Sequence, residues 1–166
     1  MGENNMEIMF IALVIIVAIF VFYKPRRERS KLRNYMSNTY RNKQKGDEYE
    51  LQIGRLYQQQ GYKVYFKGIN EGKRDNGVDL IAYKGNEVAL IQCKNWENTQ
   101  VKQEHLRIFL GDCTAYLEKN RKIFAKKNVS RVFVTSCKNI DYGVKKFLEE
   151  NSVGYRVIPY DKVSLH

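Results

Sequence analysis

Five residues of this 166-residue chain have types and spacing suited to one chemistry: Glu50, Asp79, Gln92, Cys93 and Lys94. Thirteen positions separate Asp79 from Gln92, which lets two antiparallel strand segments joined by a tight turn lie side by side. A carboxylate and a carboxamide oxygen converging there, with the Cys93 carbonyl, make a set of hard oxygen donors. Such a set suits Mg²⁺ or Mn²⁺ and does not suit zinc. Lys94 beside the cation can orient or help deprotonate an attacking water, or offset charge developing on a phosphate. Each residue also has a plainer reading: a turn acid, a backbone-satisfying amide, a strand-end lysine, a solvated helix acid. For Asp79 the functional reading is favoured, because it stands between Gly77-Val78 and the apolar Leu80-Ile81-Ala82. His105 and His166 lack partners at ligand or triad spacing and read as structural or exposed.

The elements that must carry these residues follow from periodicity. Asp47 reads as an N-cap after Gly46, and Tyr49, Ile53, Leu56 and Tyr57 form one apolar helix face that carries Glu50 on its flank. Gly61 ends that helix, and 63–66 alternates as a short strand. A polar, glycine-rich loop spans 67–77. Strands over 77–83 and 87–94 are joined at Lys84-Gly85-Asn86, a hairpin signal. In the second of them, period two puts Val88, Leu90, Gln92 and Lys94 on one face and Ala89, Ile91 and Cys93 on the other. A polar pair ending a strand that is apolar on both faces is what a site at a sheet edge looks like. A long helix fits 100–126, with Val101, Leu106, Phe109, Leu110, Cys113 and Leu117 as its buried stripe; a strand fits 129–136, a helix 141–151 and a last strand 155–160. The order α-β-β-β-α-β-α-β predicts an α/β fold, a mixed sheet flanked by helices.

Charge narrows the partner. The chain carries 29 Lys and Arg against 18 Asp and Glu, a formal +11, and every basic residue lies from Lys24 onward. So basic a surface favours an anionic partner, nucleic acid or a lipid headgroup layer, without choosing between them. Three cysteines, none at CxxC spacing, supply neither a disulfide framework nor a zinc site.

Residues 8–23 contain no charge, Pro or Gly, and twelve of the sixteen are Ile, Leu, Val or Phe. On the insertion scale they favour a membrane by about 4–7 kcal/mol, although the run spans only ~24 Å as a helix. The start MGENNME lacks a Lys or Arg and the exit FYKPRRERS lacks small cleavage-site residues, which favours an uncleaved anchor over a signal peptide. The expected plan is an extracytoplasmic tail (1–7), a transmembrane helix (8–23), a basic linker (24–45) and a domain over 46–166. The nine Lys and Arg of 24–45 put that flank, and the domain after it, on the cytoplasmic side of the cell's inner membrane. The flank can fix topology, hold anionic lipid or contact a nucleic-acid backbone.

GDEYE (46–50), GYKV (61–64), RDNGVDL (74–80), LIQCKNW (90–96) and VFVTS (132–136) together resemble the Mrr-type restriction endonucleases, within the PD-(D/E)xK nuclease superfamily. The resemblance covers about 46–160 and implies a restriction-endonuclease-like sheet, a DNA substrate and a Mg²⁺ or Mn²⁺ cofactor. It also implies that Asp79, Gln92 and Lys94 form the metal site and that Glu50 supports the metal or the water. The sequence departs from the wider superfamily at Gln92, where an acid is usual; one negative charge is lost, so metal affinity should be weaker and activity slow or conditional. Superfamily members often dimerise to cut both strands, but no dimer face is legible here.

Lys67, Lys73 and Arg74 of the polar loop, Lys102 and Arg107 of the long helix, and Asn95 and Trp96 just past the strand are the candidate nucleic-acid contacts. For the tryptophan, packing is the commoner fate. Three functions compete: a metal-dependent DNA endonuclease, a non-catalytic module that keeps the nuclease fold and binds DNA or a partner at the membrane, and a lipid-binding scaffold.

Overall fold

The computed structural model describes residues 3–71, 76–97 and 99–161; in its first helix, side chains are described at 9, 12–16, 28 and from 30 onward. The chain divides into two compact units, Met1–Lys43 and Gln44–His166.

The first unit is helical. Helix α1 (Glu3–Gln59) begins in it and ends in the second unit. Residues 24–45 are thus helix, and Asp47 lies inside that helix and is not an N-cap. The reason is local: nine residues of the stretch are Lys or Arg, good helix formers, and the single Gly46 costs only about 1 kcal/mol in a helix interior. Gln44 Nε2 donates to Glu48 Oε1 at 3.0 Å, an i,i+4 bond that spans the glycine. Leu32, Tyr35, Met36 and Tyr40 are exposed on the basic and polar stretch of α1 that follows the apolar run. Of the apolar run 8–23, only the side chains at 9 and 12–16 are described, and among the described residues no helix is long and apolar enough to cross a membrane.

The second unit is a five-stranded mixed sheet in the order β1 (Lys63–Phe66), β2 (Leu80–Lys84), β3 (Glu87–Lys94), β4 (Asn128–Thr135), β5 (Gly154–Val157). The β1–β2 and β2–β3 pairs are antiparallel, and the β3–β4 and β4–β5 pairs are parallel. The hairpin turns at Gly85, whose φ of +58° suits a residue without a Cβ. The sheet has a core on each face, as the alternation of β3 requires. Val88 and Leu90 pack with Leu106, Phe109, Cys113 and Phe147 of α3 (Gln103–Lys119) and α5 (Tyr142–Glu150). Ala89, Ile91 and Cys93 pack with Tyr49, Ile53 and Tyr57 of α1.

The expected order holds, with two short helices added. Lys67–Glu71 forms α2 where a loop was expected. The expected helix 100–126 is α3 followed by α4 (Arg121–Phe124), broken at Asn120, whose Nδ2 turns back to the Tyr116 carbonyl at 2.8 Å. The last strand ends at Val157, so 158–160 leaves the sheet.

Candidate active site

The register brings five strand termini to one end of the sheet. Phe66 pairs with Leu80, Leu80 with Ile91, Lys94 with Thr135, and Thr135 with Val157. The carboxyl ends of the parallel strands β3 and β4 open there, the position at which open α/β sheets place their ligands.

Asp79 lies one residue before β2 and is 5% exposed. Its N–H donates to the Ile91 carbonyl at 2.9 Å, its carbonyl accepts from Gly68 N–H at 2.8 Å, and its Oδ2 accepts from Cys93 N–H at 2.7 Å. The chain reaches this position through Asn76 and Gly77, both at positive φ (51° and 70°). A side chain at Gly77 would also run into the Asp112 carboxylate, so the glycine is required twice over. One more step along the β2–β3 register sets Asp79 opposite Gln92.

Gln92 is 6% exposed, and among the described residues its carboxamide makes no hydrogen bond. Lys94 ends β3, half-buried, with its carbonyl accepting from Trp96 N–H and Ser136 N–H. By strand alternation Gln92 and Lys94 share the α3 face, and Ile91 and Cys93 turn their peptide groups toward β2. Glu50 comes from the other layer, on α1. A Cβ built on Gly68 would lie 2.5 Å from its Oε2, so the Glu50 carboxylate rests against the residue that also hydrogen-bonds Asp79. The Cys93 thiol reports the same grouping. Burial pushes its pKa well up, the Asp79 and Glu50 carboxylates push it further, and the Lys94 ammonium opposes them. Asp79, Gln92, Lys94 and Glu50 therefore gather at one end of the sheet, the first three by register and the fourth from the helix above. Among the described residues no three His, Cys, Asp or Glu side chains cluster as a metal site.

A family model described as restriction endonuclease, Mrr_cat, matches residues 41–158. The chain belongs to this family. No curated protein matches it. The match begins five residues before the domain boundary expected from the sequence, within α1, and takes in all five strands of the Mrr-type sheet.

The expected nucleic-acid contacts divide. Lys67 is not a surface cation: it is 3% exposed, 3.2 Å from Glu71 Oε2 and 5.4 Å above the Tyr116 ring, because α2 folds it inward. Both ends of the Asn95 amide are engaged within the protein, Nδ2 with the Lys45 carbonyl at 3.3 Å and Oδ1 with Ser136 Oγ at 2.9 Å. Trp96 packs on the core with its ring edge against His105, whose Nδ1 accepts from Lys102 N–H and caps α3. Lys102 and Arg107 are exposed on the first turns of α3; Arg107 also lies 5.6 Å over Phe147. Lys73 and Arg74 lie outside the described residues. The sequence reading missed Gly68, which touches both acids; a glycine two residues past the end of β1 was the available signal.

Proposed function

We propose that this chain is a membrane-anchored, Mg²⁺- or Mn²⁺-dependent DNA endonuclease. The observation that carries the reading is Asp79, buried and held by three backbone bonds opposite Gln92, in a chain of the restriction endonuclease family. The donor set fits a hard dication: the Asp79 carboxylate, the Gln92 carboxamide oxygen, the Cys93 carbonyl and, beside them, Glu50. The chemistry of that donor set, two carboxylates and two neutral oxygens at one end of the sheet, supports the fit. When bound, the cation supplies Lewis acidity at a phosphoryl oxygen and makes water more acidic.

The chain's own groups do the rest. Lys94 orients the water and balances charge growing on the phosphate, while Glu50 accepts its proton. The water oxygen bonds to phosphorus as a bridging P–O bond breaks, leaving a hydroxyl end and a phosphate monoester end. Lys102 and Arg107, exposed at the start of α3, would hold the phosphate backbone.

The anchor rests on the apolar run 8–23 and the basic flank that follows, on the cytoplasmic face of the membrane. The exposed Leu32, Tyr35, Met36 and Tyr40 on a basic helix support contact between that flank and anionic lipid.

The test is cleavage of linear, methylated and supercoiled DNA by the purified full chain with Mg²⁺, Mn²⁺ or chelator. Activity should need a dication and vanish in Asp79→Asn and Lys94→Ala. Dication-dependent cutting that survives both changes sinks the site. Salt-dependent DNA binding with no cutting under any dication would instead make the chain a binding module with a nuclease fold.

A further inference from the structure

Residues 158–161 leave β5 and cross to α1, where they hold the turn that carries Glu50. Ile158 N–H first donates to the Thr135 carbonyl at 2.9 Å, tying the segment to the end of β4. The Tyr49 hydroxyl then donates to the Ile158 carbonyl at 2.7 Å. Gln52 is used at both ends of its amide: Nε2 donates to the Pro159 carbonyl and Oε1 accepts from Asp161 N–H, each at 2.9 Å. The Tyr160 hydroxyl donates to Glu48 Oε2, and its ring meets the edge of Tyr49 with centroids 6.3 Å apart. Partial burial and that hydrogen bond push the Tyr160 phenol up to about 12, so it remains a donor at neutral pH.

The arrangement does more than cover the helix. Tyr49 and Ile53, both fully buried, already press α1 on the sheet, but apolar contacts tolerate small slides along the helix axis. Gln52 is 7% exposed, and an aliphatic residue there would pack as well without burying an amide. Its two bonds to the backbone of 159 and 161 are satisfied together at only one height of α1. Glu50, two residues away, inherits that height.

We propose that Gln52, with Tyr160, is a positioning residue for Glu50: segment 158–161 sets α1 against the end of the sheet so that the Glu50 carboxylate meets the Asp79–Gln92 site. The inference rests on reading that site as a dication-dependent centre.

The experiment is a set of mutant cycles on the full chain, reading Mn²⁺ affinity by calorimetry beside DNA turnover. Gln52→Ala and Tyr160→Phe are made alone and on Glu50→Gln; the Tyr160 change removes a single oxygen and keeps the ring. Gln52→Ala should weaken Mn²⁺ binding and lower turnover about tenfold, and Tyr160→Phe by a few-fold, in the range expected when a catalytic group shifts by a fraction of an ångström. DNA affinity without dication should stay at the wild-type value. Neither change should add to the loss already caused by Glu50→Gln. Unchanged Mn²⁺ affinity, or losses that multiply with that of Glu50→Gln, overturns the proposal and leaves the nuclease reading in place. The expected cycle in Mn²⁺ affinity with no DNA cut sustains the proposal and removes the hydrolytic reading. A wild-type chain that takes up no Mn²⁺ overturns both.

Discussion

Asp79 has two separable jobs, and two substitutions at it should come apart. Its Oδ2 accepts the buried Cys93 N–H at 2.7 Å, a bond that helps hold the start of β2 to the end of β3. In Asp79→Ala that amide loses its acceptor at a position only 5% exposed in the wild type, which costs about 2 kcal/mol. In Asp79→Asn the side-chain oxygen still accepts the same N–H, and that bond loses its charge assistance, about 0.5–1 kcal/mol. At about 4 °C per kcal/mol for a domain of this size, the alanine variant should melt about 4–6 °C below the asparagine variant. Both should lose cleavage by about a hundredfold or more, because neither presents a carboxylate to the cation. Thermal and urea unfolding by circular dichroism, beside a plasmid-nicking assay, measures both halves. Equal melting temperatures would show that the Cys93 bond does not hold the strand ends. An asparagine variant cutting at the wild-type rate would show that the carboxylate is not the ligand.

Gln92→Glu adds a charge to the dication site; the Mg²⁺ concentration for half-maximal cleavage should fall about tenfold, while stability in chelator falls because a second buried acid faces Asp79. Gly54→Ala gains about 1 kcal/mol of helix propensity, yet its Cβ would overlap the Phe66 ring, so overpacking of about 1–3 kcal/mol should win and lower the urea midpoint; Phe66→Leu in the same chain should restore it. Tyr116 and Tyr155 are pushed up to about 12 chiefly by burial, as is Tyr160, and Tyr49 is raised as well. The unfolded chain releases these protons near pH 10 and the folded chain holds them. Stability is therefore fully present below pH 10 and falls from 10 to 12, which urea midpoints against pH will show, with tyrosinate absorbance rising late.

The strands were legible because each chemistry-bearing stretch had a local cause. β3 reads as apolar on both faces up to Gln92, and it is buried on both faces by α1 and by α3 with α5. The thirteen-residue spacing of Asp79 and Gln92 implied a cross-strand pair, and the observed register delivers it. What failed were readings that took polarity for exposure or irregularity. Lys67 and Asn95 are polar and near the site, but long-range partners, Tyr116 and Ser136, draw them inward. Residues 24–45, rich in Lys and Arg, continue the helix of their neighbours on both sides, so Asp47 does not start one. The hold of 158–161 on α1 could not be read from spacing at all. It joins residues more than a hundred positions apart, and a Gln, a Tyr and a Pro have no periodicity that announces it.

Gln92 ties these features together. On the proposed reading, with a carboxamide in place of an acid, Asp79 and Glu50 supply the negative charge that would face both a dication and the Lys94 ammonium. Removing or displacing either would leave more positive charge uncompensated there. Asp79 cannot drift, since its own backbone and carboxylate are bonded to Ile91, Gly68 and Cys93. Glu50 is carried by α1, and Gln52 and Tyr160 tie that helix to residues 158–161. On that reading a centre with a third acid would depend less on the helix, and the carboxamide at Gln92 makes the placement of Glu50 matter to the dication affinity that the mutant cycles measure.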